Sequence, residues 1–353
     1  MFLPPWRYAQ GGGAPAYTGA RRICIAARAP DPHFGDRLML GRAANGVYWM
    51  ARYLERAENT ARLIDVGFHL ALTRGSRASQ EEEWRSVLIT TGQERAFLAR
   101  NQELAGAAVF NFLLRERDNP GSVLAMVENA RTNARVVRTS ITNEVWQATN
   151  ETWMILRDLL ARPVRETNLR EVLSTIRQRA TLVRGAMEGS MLRNEVFNFA
   201  RIGTFIERAD NTARILDVKY YVLLPSVAWV GSSLDNVQWD TLLRSVAGNR
   251  AYSWLHAGSM DSRGIAEFLI LDGRFPRSLV FCYEKIRSNM AGLAKQYGAE
   301  TQAHQILRDA GTRLHDTTIE QIFERGLHEY LQDFIGRTYR IDEAIAADYR
   351  FIA

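Results

Sequence analysis

Cysteine, lysine and long apolar runs are what this 353-residue chain has least of. Its two cysteines, Cys24 and Cys282, form neither a disulfide framework nor a zinc-ligand spacing, which suits a reducing, cytoplasmic setting. The longest apolar stretch, 220–230, is too short to cross a membrane and is broken by Pro225. A soluble chain without a membrane partner is expected. Lysine occurs only as Lys219, Lys285 and Lys295; every other cation is arginine. Guanidinium forks suit carboxylates and phosphates, although a GC-rich genome spells its cations the same way. A Gly-rich phosphate loop and runs of alternating β-branched residues are both missing, which argues against a nucleotide-binding α/β core. The histidines make no Glu-x-x-His pairs of the kind a di-iron bundle needs, so neither metal nor cofactor is implied. Cys282 lies in the apolar run LVFCY, where a thiol acts as a small core residue.

The formal charge of +6 is half explained by residues 1–38, where five arginines face two aspartates. Over the remainder, cations and anions are interspersed, so a nucleic-acid footprint is poorly supported. Residues 1–38 also hold five of the nine prolines and the run Gly11-Gly12-Gly13. Such a composition cannot bury enough surface to offset its ordering entropy. A disordered arm is expected there, or a natural start at Met39, where the organised pattern begins.

From residue 40 onward the apolar residues follow a 3.6-residue period, which predicts an all-α protein. Long helices are expected over 42–74, 120–160, 166–190, 192–222, 276–297 and 316–348, the last with a possible interruption. Asn119-Pro120 reads as a cap followed by proline in the first turn. Arg162-Pro163 and Leu224-Pro225 read as stops. Trp146, Trp153, Trp239 and Trp254 fall in apolar helical contexts and are expected in the core.

One motif is written twice. Residues 54–66 read LERAENTARLIDV and residues 206–218 read IERADNTARILDV, identical at nine of thirteen positions. The polar letters are kept: Glu55, Arg56, Asn59, Arg62 and Asp65 stand against Glu207, Arg208, Asn211, Arg214 and Asp217. Further on, VFNFLLRERDNPGSVLAMVENAR (109–131) aligns with IAEFLILDGRFPRSLVFCYEKIR (265–287). The unit is too long for a solenoid repeat. It predicts a duplicated helical bundle, residues 39–191 and 192–353, sharing one core about a pseudo-twofold axis.

At 100° per residue, Glu55, Asn59, Arg62 and Tyr48 share one strip, with Trp49, Met50, Tyr53, Ala57, Ala61 and Ile64 on the far side. Glu58–Arg62 and Arg62–Asp65 are helical neighbours, and Asp210–Arg214 and Arg214–Asp217 repeat them. Three readings are open. A solvated face would be worth ~0.3–0.5 kcal/mol per pair, too little to preserve the polar letters after duplication. A buried network at a helix crossing would pair Glu55 with Arg208 and Glu207 with Arg56, because isologous contacts are reciprocal. A binding site would hold a carboxylate or phosphate on the arginines, with a glutamate as possible base.

The stretch MLGRAANGVYWMARYLERAENTARLIDV resembles the opening of the alpha-E family, all-helical bacterial proteins named for their Glu-Arg motif. The block ENARTNARVVRTSITNEVWQATN at 128–150 resembles that family's second signature. It carries Glu128, Asn129, Arg131 and Glu144 as secondary site candidates, and departs at Thr149, where Leu is expected. The resemblance covers residue 39 to about 350. It implies association with a circularly permuted ATP-grasp protein and a transglutaminase-like cysteine peptidase. The expected role is therefore accessory partner of a peptide-ligating or peptide-modifying system, more a non-enzyme than an enzyme. The alternative is a ligand-binding protein or enzyme acting on a carboxylate- or phosphate-bearing substrate at the polar centre.

Overall fold

Short hydroxyl side chains open many of the helices. The Ser122 hydroxyl accepts a hydrogen bond from the Ala125 amide, Thr142 from Val145, and Ser278 from Phe281. Each satisfies an amide that the first turn would otherwise leave without a partner.

The computed structural model describes residues 41–73, 76–100, 103–222, 233–256 and 261–351, with side chains at 73 and 218–238 outside that description. All regular structure among them is helical. The first seven helices are α1 (Gly41–Thr73), α2 (Arg77–Thr90), α3 (Glu94–Leu98), α4 (Gly106–Arg115), α5 (Val123–Val136), α6 (Asn143–Leu159) and α7 (Glu166–Ser190). Then come α8 (Glu195–Val222), α9 (Ser233–Ser245), α10 (Asn249–Leu255), α11 (Ser262–Leu271) and α12 (Leu279–Tyr297). The chain closes with α13 (Gln302–Asp316), α14 (Ile319–Arg325) and α15 (Leu327–Asp348). The all-α expectation holds.

Helices α1 and α8 form the axis. They pack most extensively on each other; α5, α7 and α2 surround α1, while α12 and α15 surround α8. Residues on opposite faces of α1, such as Tyr48 and Met50, are equally buried, as expected of a helix enclosed by others. Gly203 permits the close approach: a Cβ there would lie 2.4 Å from the Tyr48 carbonyl oxygen. Around this axis one continuous apolar core runs from Ala44 to Tyr349.

Some local expectations are corrected. The helix expected over 120–160 is two, because the chain turns at 137–142 before Thr142 caps α6. Asn119-Pro120 precedes the helix instead of starting it. The Asn119 side-chain oxygen accepts from the Gly121 amide at 2.9 Å, and Ser122 is the cap. The 316–348 segment breaks at Gly326, whose φ of 99° disfavours a side chain. Trp254 is 83% exposed, not core, whereas Trp239 is buried. Residues 1–38, Met39, Cys24 and the Leu224-Pro225 stop lie outside the described residues.

Candidate functional site

Glu55 sits one turn from Arg52 and Glu58 on α1, and Glu207 sits beside Arg208 on α8. Where the two helices meet, both reciprocal pairs are formed. Arg208 donates from Nε and Nη2 to the two Glu55 oxygens, each at 2.9 Å. Arg56 donates from Nε and Nη2 to Glu207 at 2.5 and 2.7 Å. These are two-pronged, charge-assisted contacts. Glu55 and Glu207 are 1% and 4% exposed, so the solvated-face reading does not describe them.

Three arginines beyond the motif's obvious pairs complete the cluster. Arg277, in the turn before α12, donates to Glu55, Glu58 and Asn59 at 3.1, 2.9 and 2.9 Å. Arg184 of α7 reaches Glu55 at 2.9 Å and Glu58 at 2.7 Å. Arg52 bonds Glu207 at 3.1 Å and Asp342 of α15 at 2.8 Å, and Tyr48 donates to the same Asp342. These partners lie up to 294 residues away in the chain, and no local pattern announces them. Arg277 does stand in a repeated Pro-x-Ser segment, but opposite a glycine, which hides it from a search for repeated charge.

The remaining motif residues divide. Arg62 returns to Glu58 at 2.7 Å and Arg214 to Asp210 at 2.8 Å, both as expected from helical spacing. The expected Arg62–Asp65 and Arg214–Asp217 contacts are replaced. Asp65 takes Arg177 at 2.6 Å, and Asp217 takes His328 and Gln332 at 2.5 and 2.6 Å. Long-range partners outcompete the i,i+3 neighbour and pin α1 to α7 and α8 to α15. Among the described residues the Asn211 side chain has no hydrogen-bond partner. The second signature does not join the cluster. Arg131 donates to Asn150 at 2.7 Å and lies over the Trp153 ring, Glu128 and Glu144 are exposed, and Asn129 is half-buried.

Burial alone would raise the pKa of Glu55, but Arg208, Arg277 and Arg184 hold it far below the ordinary carboxylate range. Glu207 is likewise opposed by burial yet lowered by Arg56 and Arg52. For Glu58, burial and the Glu55 charge act upward and are overcome by Arg277, Arg184 and Arg62. Burial and the neighbouring Arg208 push Arg277 down to about 10, still charged at neutral pH. Burial pushes the Cys282 thiol up to about 12, which removes its nucleophilic form.

Next to the cluster lies a cavity of about 80 Å³, lined by Arg56, Asn59, Thr60, Gln93, Gly121, Glu207, Asp210, Asn211 and Arg214 among others. The Nδ2 atom of Asn59, 3% exposed as a residue, has no hydrogen-bond partner there.

An all-helical protein built round two buried Glu-Arg pairs is the class that fold and site define. The chain belongs to the Alpha-E family, described as a predicted alpha-helical domain with a conserved ER motif, whose model matches residues 39–349. Uncharacterized proteins of Mycobacterium bovis and Mycobacterium tuberculosis are each 24% identical to it over 323 residues, 84% of this chain and 35% of theirs. The chain thus spans about a third of the length of the curated relatives it matches. No solved structure matches it. No helix among the described residues is long and apolar enough to cross a membrane.

Proposed function

We propose that this chain is a non-catalytic accessory module of a peptide-ligating or peptide-modifying system, acting beside an ATP-grasp protein and a transglutaminase-like peptidase in the cytoplasm. The observation that carries this reading is the closure of both motif glutamates on arginine forks, Glu55 on Arg208 and Glu207 on Arg56. A general base must present a free lone pair near neutral pKa. Each Glu55 oxygen accepts two guanidinium bonds, both carboxylates are held below the ordinary range, and the Cys282 thiol is pushed up to about 12. The motif instead acts as a clamp that fixes α1 against α8, which is what an accessory surface needs from its core.

Two further observations support the reading. The mycobacterial relatives carry nearly two thirds of their length outside the matched region, so the domain also occurs joined to a further stretch of chain. The helices also recur in order. α1–α7 are followed by α8–α13 and α15 with matching Ser122 and Ser278 caps, which supports two related halves, 39–191 and 192–353.

Pull-down of the tagged protein from its host, with mass spectrometry of the co-purifying proteins, tests the role. Recovery of an ATP-grasp protein is the expected result. Turnover of a carboxylate- or phosphate-bearing substrate by the purified chain alone would contradict it.

A further inference from the structure

The cavity beside α8 has an occupied counterpart on the other side of the crossing. Arg277 lies in Pro276-Arg277-Ser278 ahead of α12, and Gly121 holds the same place in Pro120-Gly121-Ser122 ahead of α5. Both serines cap their helices by accepting from the amide three residues on, at 3.1 Å for Ser278 and 3.3 Å for Ser122. Arg277 sends its guanidinium to Glu55, Glu58 and Asn59. The same three positions of the second motif are Glu207, Asp210 and Asn211. Gly121 has no side chain to reach them, and the cavity of about 80 Å³ is lined by all four residues.

Gln93 fills only the near end of that space. A Cβ on Gly121 would lie 2.7 Å from the Gln93 Nε2 atom, which donates to the Gly121 carbonyl at 2.8 Å. Space for a head group is left over. Charge permits a cation there. On the filled side Glu55 and Glu58 meet Arg62, Arg184, Arg208 and Arg277, two anions against four cations. On the cavity side Glu207, Asp210 and Asp342 meet Arg52, Arg56 and Arg214, three against three. One added cation would leave that side less positive than its counterpart already is. An acidic ligand fares worse, because the two arginines that line the cavity are each already paired with a carboxylate, Arg56 with Glu207 and Arg214 with Asp210. Acceptors do remain: the Asn211 side chain has no partner among the described residues, and Asp210 is engaged through Oδ2 alone. Asn59 contributes its partnerless, buried Nδ2, a donor for a carbonyl or water beside the bound group.

We propose that this cavity receives a guanidinium group, held by Glu207, Asp210 and Asn211 as Arg277 is held by Glu55, Glu58 and Asn59. The group comes from a free small guanidinium compound or from an arginine side chain of a peptide. This stands apart from the accessory role, and either can fail without the other.

The test is calorimetric titration of the full chain with methylguanidinium and, separately, with a short capped arginine peptide, using the matching lysine peptide as control. Saturable binding of a guanidinium probe is expected, with the lysine peptide at least about tenfold weaker. Asn211→Ala, which breaks no side-chain hydrogen bond among the described residues, should weaken binding by a similar factor. Equal affinity for the two guanidinium probes would identify a free compound as the source; a tighter peptide would identify an arginine side chain. As a second check, Arg277→Gly opens the other slot. Methylguanidinium should then raise the melting temperature of that variant more than that of the parent. No saturable binding at millimolar probe, unchanged affinity in Asn211→Ala, or preference for acetate or phosphate overturns the proposal.

Discussion

Glu55 and Glu207 keep their charge in the protein interior only because arginines surround them, and this coupling sets how stability depends on pH. Their folded-state pKa values lie below the unfolded glutamate value of about 4.3. A depressed carboxyl contributes stability that is fully present above the unfolded pKa and is lost as pH falls through the folded one. The melting temperature should therefore decline steadily on acidification below about pH 5, and a Glu55→Gln variant should start lower and decline less. Removing Arg208 leaves Glu55 to Arg184 and Arg277, and removing Arg56 leaves Glu207 to Arg52; breaking a buried pair outright costs about 3–5 kcal/mol, which sets the upper end of the expected loss. Thermal denaturation should show the larger loss for Arg56→Ala, whose glutamate keeps one arginine, than for Arg208→Ala, whose glutamate keeps two. A loss as small as that of an exposed pair would count against a buried clamp. Cys282 offers a separate check. With its thiol buried and pushed up to about 12, alkylation at pH 8 should be slow in native protein and fast in denaturant.

Packing of α1 against α8 depends at the element scale on a glycine. Gly203→Ala would place a methyl 2.4 Å from the Tyr48 carbonyl oxygen, against backbone that cannot rotate away. Overpacking of this kind costs about 1–3 kcal/mol; a melting curve identical to the parent's would refute the close approach. The legibility of elements and site divides along the same line between local and distant contacts. The helical period was strong enough to give α1, α7, α8 and α12, and the repeated polar letters pointed to Glu55–Arg208 and Glu207–Arg56 through reciprocity alone. The break at 137–142 was hidden because the apolar period runs through it; Thr142, a capping residue, was the available signal. Arg184, Arg277, Arg52 and Asp342 were not legible as members of the cluster, since the contacts that place them there join distant parts of the chain. Trp254 misled because an apolar context in sequence does not say which side of a short helix faces water.

At the scale of the whole molecule, one continuous core joins the described residues before and after position 191, and Glu55 and Glu207 each meet an arginine from the opposite side of that position. Calorimetric unfolding should accordingly give one transition, not two. Residues 39–191 and 192–353 expressed separately should each melt broadly or fail to fold, because each would carry a buried glutamate without its fork. Two independent sharp transitions would mean that the halves are separate domains. The most direct test of the clamp is a double-mutant cycle on Arg56 and Glu207, using Arg56→Ala, Glu207→Ala and the double variant, read by denaturant unfolding. Coupled residues in contact show interaction energies of about 0.5–3 kcal/mol. A coupling in the upper part of that range, with the double variant less destabilised than the sum of the singles, is the predicted result. Strict additivity would contradict the claim that the repeated Glu-Arg motif holds this protein together.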